Sequence, residues 1–115
     1  MHEVSLVQAL FDHVDRAIAS HSGAAVRQVT VRIGELAGVE CLCFRSAFDG
    51  CKGDRGYPNA TLVIIAEPAV WSCGDCGTAV AGGGPLRCAR CDGVPLLAAG
   101  GDLVLQRLEL ETRDV

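Results

Sequence analysis

Trp71-Ser72-Cys73-Gly74-Asp75-Cys76-Gly77 and, after a glycine-rich connection, Leu86-Arg87-Cys88-Ala89-Arg90-Cys91-Asp92-Gly93 decide how the rest of the chain is read. The two Cys-x-x-Cys pairs are separated by eleven residues, too few and too glycine-rich for a helix or a long strand. Within each pair the two intervening residues allow a tight turn that aims both sulfurs at one point, and Gly77 and Gly93 stand where the backbone must reverse without a Cβ clash. A single pair would leave a redox disulfide or free thiols open. Two pairs at this spacing point to four thiolates around one tetrahedral zinc ion, with Zn–S distances of about 2.3 Å and no open position for a substrate. Such a site contributes on the order of 10–16 kcal/mol to folding a segment too short for its own core. On this reading the zinc is architecture, and function is sought elsewhere in the chain.

Outward from this module, 115 residues with 50% hydrophobic content allow one compact core plus a metal-stapled insertion. Only five residues are aromatic, so small aliphatic side chains carry most of the packing. The formal charge is −4, which argues against phosphate backbones as partners. The start has neither the basic region nor the long apolar run of a signal peptide. No stretch approaches the roughly 20 apolar residues of a membrane span. Seven cysteines, four of them at metal spacing, fit a reducing compartment better than a disulfide framework, so a cytoplasmic protein is expected.

Residues 4–21 place Val7, Leu10, Phe11, Val14, Ala17 and Ile18 at steps of three and four, the pattern of an amphipathic helix. Met1-His2-Glu3 is expected to project ahead of it. Residues 26–34 alternate Val29, Val31 and Ile33 with Gln28, Thr30 and Arg32, a half-buried strand. Residues 39–50 read as a second helix burying Leu42, Ala47 and Phe48, with Phe44 on a neighbouring stripe, and 51–59 as a loop. The β-branched run at 61–66 has no polar face and reads as a central strand covered on both sides, and 102–111 as a third strand. The expected fold is α+β: two helices on a small three-stranded sheet, with an inserted zinc-ribbon-like module. Residues 1–67 plus 102–115 form the first domain and 68–101 the module. Glycines 82–84 and 100–101 mark points at which the module could swivel.

The N-terminus carries the remaining chemistry. A His at position two offers the terminal amine, its own amide nitrogen and its imidazole to one ion, and the Glu3 amide adds a fourth nitrogen. A planar set of nitrogens suits Ni(II) or Cu(II) better than zinc. Taken alone, a His after the initiator is most often an accident. His13 and His21 read as solvated side chains, and Cys41, Cys43 and Cys51 as buried small hydrophobes, since they lack paired metal spacing. No phosphate-binding loop and no Ser/His/Asp grouping is present, so an enzyme is not expected.

Met1-His2-Glu3 with Ser5-Leu6 opening a helix, Ile33-Gly34-Glu35-Leu36-Ala37-Gly38-Val39-Glu40 after the first strand, Ala47-Phe48, and the two cysteine pairs together resemble the HypA/HybF family of hydrogenase nickel-incorporation proteins. The likeness runs from residue 1 to about residue 111. It implies a nickel metallochaperone that passes Ni(II) to the large subunit of a [NiFe] hydrogenase together with a GTPase accessory protein, relatives also serving urease. Nickel would then fall on His2, with the Met1 amine and the Glu3 backbone contributing and Glu40 matching an acidic family position near the nickel. Structural zinc would fall on Cys73, Cys76, Cys88 and Cys91. A homodimer is a candidate assembly. The sequence departs from the family at Cys91-Asp92-Gly93, where relatives often have Gly directly after the last Cys.

Two other readings compete. A zinc-ribbon module could bind nucleic acid or the transcription machinery, but between residues 71 and 101 Arg87 and Arg90 are balanced by Asp75 and Asp92, leaving no electrostatic funnel. Four thiolates would also suit a rubredoxin-like iron site for electron transfer.

Overall fold

The computed structural model describes residues 2–21, 23–81 and 86–111. In chain order these form α1 (His2–Ile18), β1 (Ala25–Gly34), α2 (Cys41–Cys51), β2 (Thr61–Glu67), β3 (Val70–Cys73), β4 (Ala79–Val80), β5 (Pro95–Ala99) and β6 (Leu103–Glu111). The strands make two three-stranded sheets, ordered β2-β1-β6 and β4-β3-β5. The architecture is α+β, as the hydrophobic periodicities indicate.

The chain divides into two compact units. The first holds residues 1–32, Val39–Ile65 and Val104–Val115; the second holds Ile33–Gly38 and Ala66–Leu103. In the first unit, α1 and α2 pack through Val7, Leu10, Phe11 and Val14 and through Phe44 and Phe48, with Val29 and Val31 of β1 in the same core. Phe44 and Phe48 are four residues apart and so share a helix face. Phe48 stacks on Phe11 at 5.1 Å between ring centroids, and Tyr57 stacks on the same ring at 5.7 Å. Each fully buried ring is worth about 1.5–3 kcal/mol of apolar burial, so four of the chain's five aromatic residues concentrate their packing energy in this unit.

Several expectations are corrected here. The helix α1 starts at His2, so His2 and Glu3 form its first turn instead of projecting ahead of it. Ala17 is exposed, because the buried stripe ends at Val14. In α2 the apolar face is Phe44/Phe48 rather than one containing Leu42, which is 73% exposed: two rings at i and i+4 outweigh one leucine a half-turn away. The run 61–66 is an edge strand, and β1 is central. Val63 and Ile65 of β2 are partly exposed, so an unbroken apolar run did not signify cover on both faces. Cys41 and Cys51 are only half-buried and Cys43 is exposed, so none of the three is a buried core residue.

The loop after α2 is fastened to α1 by polar contacts. Arg55 donates to Gln8 Oε1 (2.5 Å), Asp12 (2.7 Å) and Asp15 (3.0 Å), with its guanidinium 5.5 Å above the Phe11 ring. The Tyr57 hydroxyl donates to the Asp15 carboxylate. Burial, with the hydrogen bond to Asp15 in second place, pushes the Tyr57 phenol up to about 12. The Tyr57 hydrogen bond in turn holds Asp15 below its usual range. A phenol raised above its unfolded value of about 10 lends stability that is fully present below that pH and is lost as pH climbs toward 12. Asp15, shifted down, lends stability above about pH 4 that disappears in stronger acid. Because Tyr57 is the only tyrosine, phenolate absorbance should titrate with one midpoint near 12. A midpoint near 10 would show that Tyr57 is neither buried nor bonded to Asp15 in solution. Tyr57→Phe should lower stability by about 1–2 kcal/mol near neutral pH, read from denaturant midpoints.

Candidate metal centre

The second unit builds its site from two matching turns. Cys73 N–H donates to Thr78 O (2.8 Å) and Cys88 N–H to Gly93 O (3.1 Å); Gly77 N–H returns to Cys73 O (3.0 Å) and Asp92 N–H to Cys88 O (2.9 Å). Each hydrogen bond has its counterpart fifteen residues later, so both Cys-x-x-Cys segments close the same knuckle. The first sulfur of each pair accepts a backbone N–H from two residues on: Asp75 to Cys73 Sγ and Arg90 to Cys88 Sγ, both at 3.4 Å. Strand β3 delivers Cys73 and pairs antiparallel with β4 on one side and β5 on the other, bringing Trp71 opposite Val80 and Leu97. These three short strands went unread in the sequence because two to five residues leave no measurable period.

The four sulfurs converge. Cys73, Cys76, Cys88 and Cys91 place their Sγ atoms within 4.8 Å of one another. Two of the separations are 3.4 Å (Cys73–Cys91) and 3.6 Å (Cys76–Cys88). These are far beyond the ~2.05 Å of a disulfide, and close to the ~3.8 Å edge of a tetrahedron with 2.3 Å Zn–S bonds. The donor set therefore fits a structural zinc ion: four soft ligands, two buried and two exposed, filling every tetrahedral position. The Thr78 hydroxyl, 3.1 Å from Cys76 Sγ, draws that thiol down to about 6, whereas the Cys73 sulfur beside it pushes Cys91 up to about 12. Thiols this close cannot all ionise without a cation between them, so metal binding and proton release are coupled. Thr78 is a site residue that sequence reading missed; its hydroxyl two places after a ligand cysteine was the available sign.

The two glycines singled out from sequence have different jobs. Gly77 has φ 76°, the left-handed conformation expected of it. In the second knuckle the equivalent left-handed position is Asp92, with φ 61°, and not Gly93. Aspartate is among the few residues that tolerate this region, which accounts for the departure from the family pattern. Gly93 is required for space: a Cβ there would lie 2.7 Å from Cys73 Sγ, 3.1 Å from Cys91 Sγ and 2.6 Å from Asp75 Oδ2. Gly93→Ala should therefore displace a ligand and weaken zinc retention by about 10–100-fold, the range seen when a ligand's support is lost. Asp92→Gly should hold zinc as well as the wild type or a few-fold better. Zinc transfer to a chromogenic chelator measures both, and equal transfer rates for Gly93→Ala and wild type would refute the packing argument.

At the other candidate site, His2 is exposed and Glu3 half-buried in the first turn of α1, while Met1 lies outside the described residues. The first N–H groups of a helix have no intrahelical acceptor, so the amides of His2 and Glu3 are not consumed by the helix. Glu40 caps α2, its carboxylate accepting the Cys43 N–H at 2.8 Å. That hydrogen bond holds Glu40 below the usual carboxylate range, and the carboxylate in turn pushes the Cys43 thiol up. Glu3, Val4, Leu42, Cys43, Ser46 and Ala47 line one open, mainly apolar groove of about 380 Å³ between the starts of the two helices.

Comparison with known proteins gives the family of the chain. The family described as "Hydrogenase/urease nickel incorporation, metallochaperone, hypA" matches residues 1–110. The hydrogenase maturation factor HypA of Shewanella halifaxensis is 34% identical over 113 residues, covering 96% of this chain and 98% of the relative. The chain belongs to the HypA family. HypA of Wolinella succinogenes is 34% identical over 117 residues (99% and 98% of the two chains), and that of Rhodobacter capsulatus 36% over 103 residues (89% and 91%). Two solution structures share the fold. One, of the Ni metallochaperone HypA from Helicobacter pylori, has a TM-score of 0.74 at 23% identity, covering 96% of this chain and 98% of its own. The other, of a HypA protein, has a TM-score of 0.80 at 24% identity, covering 98% of each. The HypA assignment makes this a hydrogenase-maturation, nickel-metallochaperone type of protein. Among the described residues no helix is long and apolar enough to cross a membrane.

Proposed function

We propose that this chain carries Ni(II) at its N-terminal tip and hands it over during [NiFe] hydrogenase maturation, with zinc held by Cys73, Cys76, Cys88 and Cys91 as a structural ion. The observation that carries this reading is the exposed first turn of α1 in a chain matching the nickel-incorporation family from residue 1. His2 supplies the imidazole and its amide nitrogen, Met1 the amine and Glu3 a further amide nitrogen. Such donors favour a tetragonal ion. Glu40, a carboxylate held below its usual range by its cap hydrogen bond, is the acidic residue assigned to the surroundings of this set on this reading. The receiving partners would be a maturation GTPase and the hydrogenase large subunit, with urease a second destination, acting in the cytoplasm. No catalytic group is assigned.

The division of labour follows from ligand chemistry. Thiolates in a closed cage retain their ion, whereas an exposed nitrogen site at a chain tip can release its own. Metal analysis followed by nickel titration tests it: the protein as purified should contain one zinc per chain and take up one further Ni(II) without losing the zinc. Nickel that enters only by displacing zinc would overturn the assignment, and a coloured, redox-active iron centre would favour electron transfer instead.

A further inference from the structure

The two knuckles give their sulfurs nearly the same donors, and the one difference falls on the exposed side of the cage. In each knuckle the first sulfur accepts the N–H two residues on, from Asp75 at Cys73 and from Arg90 at Cys88. The second sulfur does likewise, Cys76 from the Thr78 N–H and Cys91 from the Gly93 N–H. The match fails at the side chains of those last two residues. The Thr78 hydroxyl lies 3.1 Å from Cys76 Sγ, whereas its counterpart, Gly93, has no side chain and no room for one. With zinc bound every sulfur is a thiolate, so the hydroxyl holds the only proton in that contact and donates it. Charge separates the two sulfurs further. Asp75 Oδ2, Cys73 Sγ and Cys91 Sγ all lie within 3.1 Å of the point a Gly93 Cβ would take, which sets the carboxylate beside Cys91. Cys73 and Cys88 are each only 3% exposed, so Cys76 and Cys91 are the two thiolates that an incoming reagent meets.

We propose that Cys91 is the modification site of the zinc-loaded cage, the thiolate that a neutral soft electrophile such as an alkyl halide attacks first, and that the Thr78 hydroxyl shields Cys76 from the same reaction. The thiolate is the nucleophile, and a hydrogen bond draws off the electron density it must share. The sulfur with two donors therefore reacts more slowly than the sulfur with one. In the step, Cys91 Sγ forms a bond to the carbon that carries the halogen, and the halide leaves with the bonding pair. The product is a neutral thioether, a weaker zinc ligand than a thiolate, and the ion is left on three sulfurs. The inference rests on the zinc assignment proposed above and is independent of the nickel one.

The test is iodoacetamide applied to the full zinc-reconstituted chain, with the rate at each cysteine read by peptide mass spectrometry and zinc release by a chromogenic chelator. Cys91 should be alkylated about fivefold faster than Cys76, the rate equivalent of one hydrogen bond worth ~1 kcal/mol. Zinc should leave in step with Cys91 modification. Thr78→Val should raise the Cys76 rate about fivefold with the Cys91 rate unchanged, and Thr78→Ser should restore the wild-type ratio. A general loosening of the knuckle would instead speed both sulfurs together. Equal rates in the wild type, or Cys76 reacting first, overturn the proposal, as does an unchanged Cys76 rate in Thr78→Val. Should Thr78→Val fail to hold zinc, the wild-type ratio decides alone. Zinc bound one to one with equal rates refutes this inference by itself, whereas a chain that takes up no zinc refutes the zinc assignment and the inference with it.

Discussion

Cys88→Ser will abolish zinc retention and unfold the cysteine-bearing unit while leaving most of the helical unit intact. Cys88 is buried, its amide closes the second knuckle onto Gly93, and its sulfur accepts the Arg90 N–H. Serine offers a harder, more weakly binding oxygen in place of a thiolate. The unit's own apolar core is small: Ile33, Cys73, Cys88 and Pro95 are buried, whereas Val70, Leu86, Val94 and Leu96 remain exposed. Burial cannot replace a metal contribution on the order of 10 kcal/mol. The buried rings Phe11, Phe44 and Phe48 all lie in the other unit and do not depend on the ion. Trp71, the sole tryptophan, lies in β3 two residues before Cys73, so its emission reports the loss, far-UV circular dichroism reports the surviving helices, and elemental analysis reports the zinc. Cys51→Ser, outside the cluster, should change none of these readings. Retention of one equivalent of zinc and a native Trp71 spectrum in Cys88→Ser would show that the sulfur cage is not what folds this unit.

Zinc spacing was legible because four ligands at fixed intervals are a local signal; convergence of the sulfurs needed no knowledge of the remaining fold. The helices were legible for the same reason, since Val7, Leu10, Phe11 and Val14 repeat over several turns. Legibility failed where neighbours decide. Leu42 and the pair Phe44/Phe48 compete for one helix face, and only the Phe11 ring across the interface settles which is buried. The run 61–66 looks central because five of its six residues are apolar, but position in a sheet is set by pairing partners, and β1 has two. Asp92 in a left-handed turn was hidden because the glycine next to it seemed to satisfy the same need. The Glu35 carboxylate accepts the Ala69 N–H and that of Glu67 the Gly100 N–H; these contacts join residues more than thirty positions apart and leave no mark in either local pattern.

The second large effect is expected at the tip. His2→Ala should weaken Ni(II) binding by more than about 100-fold, exceeding the 10–100-fold cost of losing a group that merely supports a ligand, because it removes a donor outright. His2 is exposed on the first turn of α1, so α1, the Phe11 core and the zinc content should be unchanged. A short extension ahead of Met1 should produce a loss of similar order by a different route: it converts the amine into an amide and leaves the imidazole in place. The two changes together should do little more than either alone, since a planar four-nitrogen site with one member missing is already lost. Binding of this kind displaces protons from the amine, the amides and the ring, so wild-type affinity should rise with pH through the neutral range, and the variants should show a shallower dependence. Calorimetry, with the visible absorbance of planar Ni(II) as a second reading, measures all of these. Should His2→Ala and the extended chain both bind nickel as tightly as the wild type, the ion is held elsewhere and the tip is not the carrier. Loss in His2→Ala alone, with the extended chain unaffected, would instead place the imidazole in a site that does not use the terminal amine.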